Sequence, residues 1–135
     1  MEDCIFCKVI RGELPSWKVY EDERVLAILD LSPVHKGHTV VVLKKHFPYF
    51  TSVEPECLSG VLEAIQKVAQ AVMAGTNAGG CNISTNNGLA ANQTIFHHHW
   101  HVIPRFEGDD LPMWPQGTYE EGEKDVMAEK IRNSF

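Results

Sequence analysis

Four of the seven histidines lie within five residues, between positions 97 and 101. Alternate residues of an extended strand face the same side, so His97, His99 and His101 would share one face and His98 the other. Three imidazoles on one face can converge on one bound group, and an unperturbed imidazole pKa of about 6.5 suits nucleophilic or acid–base work near neutral pH. Adventitious metal binding is the plainer interpretation of such a tract. The tract's internal position in an apolar strand favours catalysis for the three, and His98 is expected to be a core-facing or partly exposed residue.

Two cysteines separated by two residues, Cys4 and Cys7, open the chain's first apolar segment. Such a pair can be redox-active, can be simply buried, or can supply half of a zinc site. A redox pair normally sits at a helix start in a βαβ context, which the predicted elements here lack. The chain has four cysteines, the other two being Cys57 and Cys81. At this density and without a secretory signal, the four are expected to be reduced thiols or metal ligands rather than a disulfide framework.

Asp30 is the one carboxylate inside the apolar run of residues 28–31. A buried carboxylate without a partner is costly, so a donor group is expected beside it. The alternative is that Asp30 caps the turn at Ser32 and Pro33. Asn86 is another polar residue with a plain structural interpretation, because its Asn-Asn-Gly context alone would make it a turn residue.

The elements that must position these residues are predicted from hydrophobic periodicity and turn signals. Helices and strands do not alternate, and hairpin-like neighbours dominate, which indicates an α+β domain around a mostly antiparallel five-stranded sheet with one long helix and one or two short ones. In the C-terminal helix, Val126, Met127 and Ile131 are expected to face inward. The strands are predicted over residues 17–20, 25–31, 38–43, 81–85 and 94–103, and the helices over 4–11, 54–73 and 119–132.

Composition bounds the class of protein. The chain has 135 residues, 44% of them hydrophobic and 22% charged, which is ordinary for one globular domain spanning 1–135. The net charge of −6 leaves no basic patch for nucleic acid. No apolar run reaches the ~18–20 residues of a membrane helix, and the start is acidic where a signal peptide is basic, so a cytoplasmic location without membrane contact is expected.

The segment from Gln93 to Arg105 resembles the signature of the histidine triad (HIT) superfamily, in which three histidines alternate with hydrophobic residues. Residues 4–10, 29–33, 37–42 and 86–88 resemble further segments of that family in the same order. The resemblance covers residues 4–105, and 106–135 form a C-terminal extension that matches more loosely. It implies a HIT-like fold and a homodimer.

The resemblance also implies an activity. Family members act on the α-phosphate of nucleotide conjugates, here a purine nucleoside phosphoramidate or a related AMP-like substrate. The matching roles are His99 as the nucleophile that forms a nucleotidyl-histidine, His101 as the donor to phosphoryl oxygens and leaving group, and the His97 carbonyl as the group that fixes the His99 tautomer. Alternatives are a dinucleoside polyphosphate hydrolase, a nucleotide-binding regulatory protein and a zinc-dependent interaction module.

Binding residues follow from the same match. Asp30 would accept from both ribose hydroxyls, and the phosphate contacts would be Asn86, Gln93 and Thr94. The neighbouring Asn92 stands where glycine is usual, and Thr94 stands where serine is commonest. The base would lie among apolar residues that could equally be core: Ile5, Phe6, Val9, Ile28 and Leu31. A structural zinc would be held by Cys4, Cys7, His46 and His97, a standard closed ligand set.

Overall fold

The computed structural model describes residues 3–112 and 114–135. Its five strands form one sheet in the order β1-β2-β3-β5-β4, and every neighbouring pair is antiparallel. This confirms the predicted α+β class and its five-stranded antiparallel sheet. The strands are β1 (Lys18–Glu21), β2 (Val25–Leu29), β3 (Thr39–Leu43), β4 (Gly80–Ser84) and β5 (His99–Arg105), and the helices are α1 (Ile5–Ile10), α2 (Val61–Thr76) and α3 (Glu123–Arg132).

Each face of the sheet is covered by a helix, so the central strands are buried on both sides. The apolar stripe of α2 packs on one face, against Val41, Trp100 and Val102. The short helix α1 covers the other face, with Phe6 and Val9 against β2 and β3. This double coverage explains why β3, although antiparallel, is buried at every position rather than at alternate ones.

The long helix begins later than predicted. A single 3-10 turn occupies Pro55–Leu58, and α2 starts only at Val61, after Gly60 adopts a left-handed φ of 75°. Apolar residues at helical spacing run through both pieces, so periodicity alone merged them. At its other end the helix runs on to Thr76, and Asn77 in the left-handed region closes it.

The histidine strand is also shifted from its predicted bounds of 94–103. Residues 93–98 pass outside the regular sheet, and β5 runs through Pro104 to Arg105. Pairing with β3 ends at Val102, so at Pro104 the strand pairs with β4 alone, where the missing N–H of proline is tolerated.

The C-terminal extension leaves the sheet after Arg105. The prediction that Val126, Met127 and Ile131 face inward is wrong: all three are between 44% and 55% exposed, and α3 has no buried residue. The helix is amphipathic in sequence, but within the described part of the chain its apolar side is not buried. None of the described helices has the length and apolarity to cross a bilayer.

Candidate functional site

A cavity of about 620 Å³ lies between α1 and the end of the sheet where β2 and β5 meet the loops. Its walls are mainly apolar, with Asp30, His99 and His101 as the groups that can carry charge or a proton. All five residues predicted for a base slot line it. The remaining residues of the lining are Leu14, Pro15, Ser16, Leu29, Ser32, Val40, Thr94 and Ile95.

His99 sits in the cavity wall with 8% of its surface exposed. Its Nδ1–H donates to the carbonyl oxygen of His97 over 2.7 Å, as the resemblance implies. That bond places the proton on Nδ1 and leaves the Nε2 lone pair free. Phe6 packs edge-on against the ring at a centroid distance of 5.0 Å and fixes its plane. Burial lowers the pKa of His99, against the raising effect of the His97 carbonyl, so the ring is kept neutral.

A chain of hydrogen bonds orients the second histidine, His101. The backbone N–H of Val34 donates to Nδ1 of His38 over 3.1 Å, so the His38 proton lies on Nε2. That Nε2–H donates to Nδ1 of His101 over 2.9 Å, which leaves the Nε2–H of His101 as its donor. Burial lowers the pKa of His101 to about 4, so at neutral pH the ring offers a hydrogen bond rather than an ionised proton.

Asp30 carries out the capping function and still faces the cavity. Its Oδ1 accepts from the backbone N–H of Ser32 over 2.8 Å, and its Oδ2 lies 3.6 Å from Nε2 of His38. The two interpretations of this carboxylate are therefore compatible. One oxygen is committed to the turn, and the residue is also part of the cavity lining.

The three residues predicted to contact phosphate lie in different surroundings. Thr94 is exposed and lines the cavity. Gln93, in contrast, is only 1% exposed, and its side chain forms hydrogen bonds with backbone groups alone. Its Nε2 donates to the carbonyls of Pro48 and Ile95, and its Oε1 accepts from the Gly88 N–H. The amide nitrogen of Asn86 donates to the carbonyl of Asn92 over 3.3 Å. Neither Asn86 nor Gln93 lines the cavity, and phosphate contact by all three stays a prediction.

The asparagine that stands in place of a usual glycine has a conformational explanation. Asn92 adopts a left-handed φ of 62° at the end of the short turn Leu89–Ala91. Glycine is the default residue for that conformation, and asparagine is among the few others that tolerate it. The departure therefore preserves the turn that leads into Gln93.

A second cluster joins the predicted metal ligands behind the cavity. One side-chain atom from each of Cys4, Cys7, His46 and His97 lies within 4.8 Å of the other three. Nδ1 of His97 is 3.3 Å from Cys4 Sγ and 3.1 Å from Nδ1 of His46, close to the ~3.3–3.6 Å edges of a tetrahedron with Zn–S near 2.3 Å and Zn–N near 2.05 Å. The Nε2–H of His97 donates to the Leu43 carbonyl, which leaves Nδ1 for a metal. The donor set therefore fits a tetrahedral metal ion.

Asp30, His38 and His101 form another group of atoms close enough to hold an ion. Both nitrogens of His38 are already used, one by the Val34 N–H and the other by His101. Within this group a hydrogen bond therefore joins His38 to His101, and the Asp30 carboxylate lies beside it, 3.6 Å from Nε2 of His38.

Two site residues were missed from the sequence. His38 was noted only within a resembling segment, and Thr85, whose hydroxyl donates to the His99 carbonyl over 2.7 Å, was placed in a strand without a role. Both residues lie near the histidine strand because of strand pairing, which no local sequence pattern reveals. In β3 and β4, Val40 and Ser84 each pair with His101, and His38 and Thr85 lie close to those positions in the chain. His98 is core-facing as predicted, and its two ring nitrogens contact no hydrogen-bond partner in the described chain.

Fold and site together define a small α+β protein with a neutral histidine presented at an apolar cavity. Comparison with known proteins identifies the family. A family model described as the HIT domain matches residues 11–108. The crystal structure of a member of the HIT family from Bacillus subtilis superimposes with a TM-score of 0.91 at 38% identity, covering 98% of this chain and 97% of that one. This chain belongs to the HIT domain family.

Two further relatives bear on chemistry. Adenylylsulfatase HINT3 of Arabidopsis thaliana is 41% identical over 109 residues, 81% of this chain and 55% of that protein. A Zn-bound histidine triad family protein from Mycobacterium smegmatis has a TM-score of 0.78 at 37% identity, covering 99% of both chains. The family thus contains a named hydrolase and a zinc-bound member.

Proposed function

We propose that this chain is a nucleotide hydrolase or nucleotidyl transferase that attacks the α-phosphate of a purine nucleoside phosphoramidate or a related conjugate. The observation that carries the proposal is His99: its Nδ1 is pinned to a backbone carbonyl and its unprotonated Nε2 stands at the wall of the cavity. A neutral imidazole held in one tautomer is a competent nucleophile, and a covalent intermediate divides one difficult displacement into two easier steps.

The reaction proceeds in two displacements at phosphorus. The Nε2 lone pair of His99 forms a bond to the α-phosphorus, the bond to the leaving amine breaks with its electron pair, and the amine takes a proton from solvent. Water then attacks the phosphorus, the P–N bond to His99 breaks, and the proton of the water returns to solvent. His101, neutral and donating from Nε2, stabilises the charge on the phosphoryl oxygens throughout.

The rest of the cavity suits a nucleoside. Its volume of about 620 Å³ lies within the usual ~300–1,000 Å³ of small-molecule sites. Ile5, Phe6 and Val9 of α1 face Ile28 and Leu31 across an apolar slot for the base. The free oxygen of Asp30 would accept from ribose hydroxyls, and Thr94, with Asn86 and Gln93 behind it, would border the phosphate.

The four-ligand cluster would hold zinc as a structural ion. Cys4, Cys7, His46 and His97 come from three distant parts of the chain, and a closed tetrahedral set leaves no position for substrate. The side chain of His97 is then unavailable for chemistry, and only its carbonyl contributes, through His99.

The test is to trap the intermediate. The parent chain is mixed with adenosine 5′-phosphoramidate, quenched during turnover and examined by mass spectrometry for one added adenylyl group, labile to acid. His99→Ala should lose the adduct and about a thousandfold or more of turnover, with nucleotide binding little changed. His98→Phe, on the opposite face of the strand, is the matched control and should keep the adduct.

Three results would count against the proposal. An adduct on His101 would reassign the nucleophile. Turnover of His99→Ala near the parent rate would favour a binding protein that needs no nucleophile. Finally, preference among adenosine phosphoramidate, adenylylsulfate and diadenosine tri- and tetraphosphate tests the leaving group, and a large preference for a dinucleotide would make the chain a polyphosphate hydrolase.

A further inference from the structure

Asp109, in the C-terminal extension, is a carboxylate with every lone pair engaged. Its side chain is 8% exposed and accepts five hydrogen bonds. Arg105 donates twice, from Nε over 2.7 Å and from Nη2 over 2.8 Å, and the backbone N–H groups of Phe106 and Leu111 donate over 3.1 and 3.2 Å. The fifth donor is Nε2 of His35, 3.1 Å away. A carboxylate offers about four acceptor positions, so these five bonds occupy all of them. Closing one surface turn would need fewer.

His35 belongs to the loop of residues 31–37, which connects Asp30 to β3. Its ring packs edge-on against Phe106 at 5.3 Å, so the extension holds it by both a hydrogen bond and an apolar contact. Its backbone carbonyl accepts from the His38 N–H over 2.9 Å, and the Val34 N–H in the same loop donates to the His38 ring. The 31–37 loop thus determines which nitrogen of His38 carries the proton.

We propose that Asp109 is a positioning residue for the site: its carboxylate holds His35, and through the 31–37 loop it fixes the His38 ring and the tautomer of His101. The path consists of four contacts that do not exceed 3.1 Å, from Asp109 to His35, within the loop to His38, and from His38 to His101. The Arg105 donors hold the pKa of Asp109 well below its usual range, so the anchor stays charged over the working pH range.

The consequence for reaction rate rests on the proposed function, whereas the positioning itself does not. If His101 stabilises phosphoryl charge from Nε2–H, it needs Nδ1 occupied by the His38 donor. When the loop loses its anchor, His38 can turn, the His101 proton can move to Nδ1, and the lone pair of Nε2 then faces the phosphate. Misplacement of one catalytic donor costs of order tenfold or more in rate.

Two variants and a control separate positioning from simple stability. Asp109→Asn removes the charged acceptor. His35→Phe is milder, because it removes only the Nε2 donor and leaves the contact with Phe106 and the Arg105 pair to Asp109 in place. Asn82→Ala is the matched control: it removes the 2.7 Å bond from Arg105 Nη1 on the other side of the same guanidinium, without touching the loop.

The deciding measurement is the tautomer of His101, observed by two-bond ¹H–¹⁵N correlation spectra of the histidine rings. The parent and Asn82→Ala should show His101 protonated on Nε2 alone, and Asp109→Asn and His35→Phe should show a population protonated on Nδ1. With adenosine phosphoramidate, both variants should lose about tenfold in kcat with KM changed less than about twofold. If Asp109→Asn does not fold, His35→Phe decides alone.

An unchanged His101 tautomer in the folded variants would overturn the inference, and Asp109 would then be a structural tie only. A changed tautomer with parental turnover would support the positioning and would refute instead the donor role that the proposed function gives to His101. The two hypotheses therefore fail in different experiments.

Discussion

Gly37, which immediately precedes His38, is the residue whose replacement tests the packing of the 31–37 loop most sharply. It adopts a φ of +98°, where a residue with a Cβ is strained. A Cβ at this position would fall on the Thr76 Cγ2 methyl at the end of α2, and the next nearest atoms, Pro104 Cγ at 3.6 Å and Thr76 Cβ at 3.8 Å, would be in ordinary contact. One methyl group therefore accounts for the whole steric conflict.

The cost of Gly37→Ala divides into two parts. The left-handed backbone contributes about 1–2 kcal/mol, and forcing a methyl into packed side chains contributes about 1–3 kcal/mol. We expect Gly37→Ala to lower the free energy of unfolding by about 2–5 kcal/mol in the parent. In a Thr76→Ser background only the backbone part should remain, about 1–2 kcal/mol, because Cγ2 is absent and the serine hydroxyl can keep the bond to the Val72 carbonyl.

The assay is a double-mutant cycle measured by urea unfolding, with the fluorescence of buried Trp100 as the signal. The coupling between Gly37→Ala and Thr76→Ser should be about 1–3 kcal/mol in the relieving direction. Equal losses in both backgrounds would refute the argument, since they would show that Thr76 does not limit the space at Gly37. A negligible loss in the parent would refute the strain as well.

Four further expectations follow from other parts of the molecule. Purified, chelator-washed protein should contain one zinc per chain by elemental analysis. Cys4→Ala should lower the free energy of unfolding by about 3 kcal/mol, and Cys57→Ala, outside the cluster, should lower it far less. Protein without zinc and with a freely titratable Cys4 would contradict this. His98→Leu, which is close to the imidazole in volume, should stabilise the chain by about 1 kcal/mol in thermal unfolding, because two unpartnered buried nitrogens are removed; a loss of similar size would contradict the absence of a partner. The stability difference between Asp109→Asn and the parent should be nearly constant from neutral pH to about pH 5 and shrink at lower pH, because the pKa of Asp109 in the folded chain lies below its usual value and the unfolded chain takes up the proton first. A difference that grows with acid would have the wrong sign. Sedimentation velocity should give twice the 15.2 kDa of one chain, as the homodimer expected from the histidine triad resemblance requires, and a monomer at micromolar concentration would oppose it.

The sequence predicted best those features that depend on residues close together in the chain. The strand parity of His99 and His101 follows from two-residue alternation, which any extended segment obeys, and the spacing of Cys4 and Cys7 places both thiols at the start of one helix. The exposed helix α3 shows the limit of such signals. Its amphipathic pattern predicts a helix correctly but does not say what, if anything, its apolar side meets.

What the sequence could not predict depends on contacts between distant segments. His38 serves the site only because β3 pairs with β5 in one register, and Gln93 bonds to backbone because a loop 45 residues away passes beside it. The bounds of α2 were missed for a different reason. A left-handed Gly60 interrupts a periodic pattern that continues on both sides of it.

The cluster of Cys4, Cys7, His46 and His97 also orders events in time. Its members are delivered to the growing chain at positions 4, 7, 46 and 97, so the first helix has no complete anchor until most of the domain has left the ribosome. That helix supplies one wall of the cavity, through Ile5, Phe6 and Val9. The α1 wall of the cavity is therefore anchored only after residue 97 has been synthesised. If the cluster holds the proposed metal ion, a shortage of that ion would leave newly made chains with an open wall at α1.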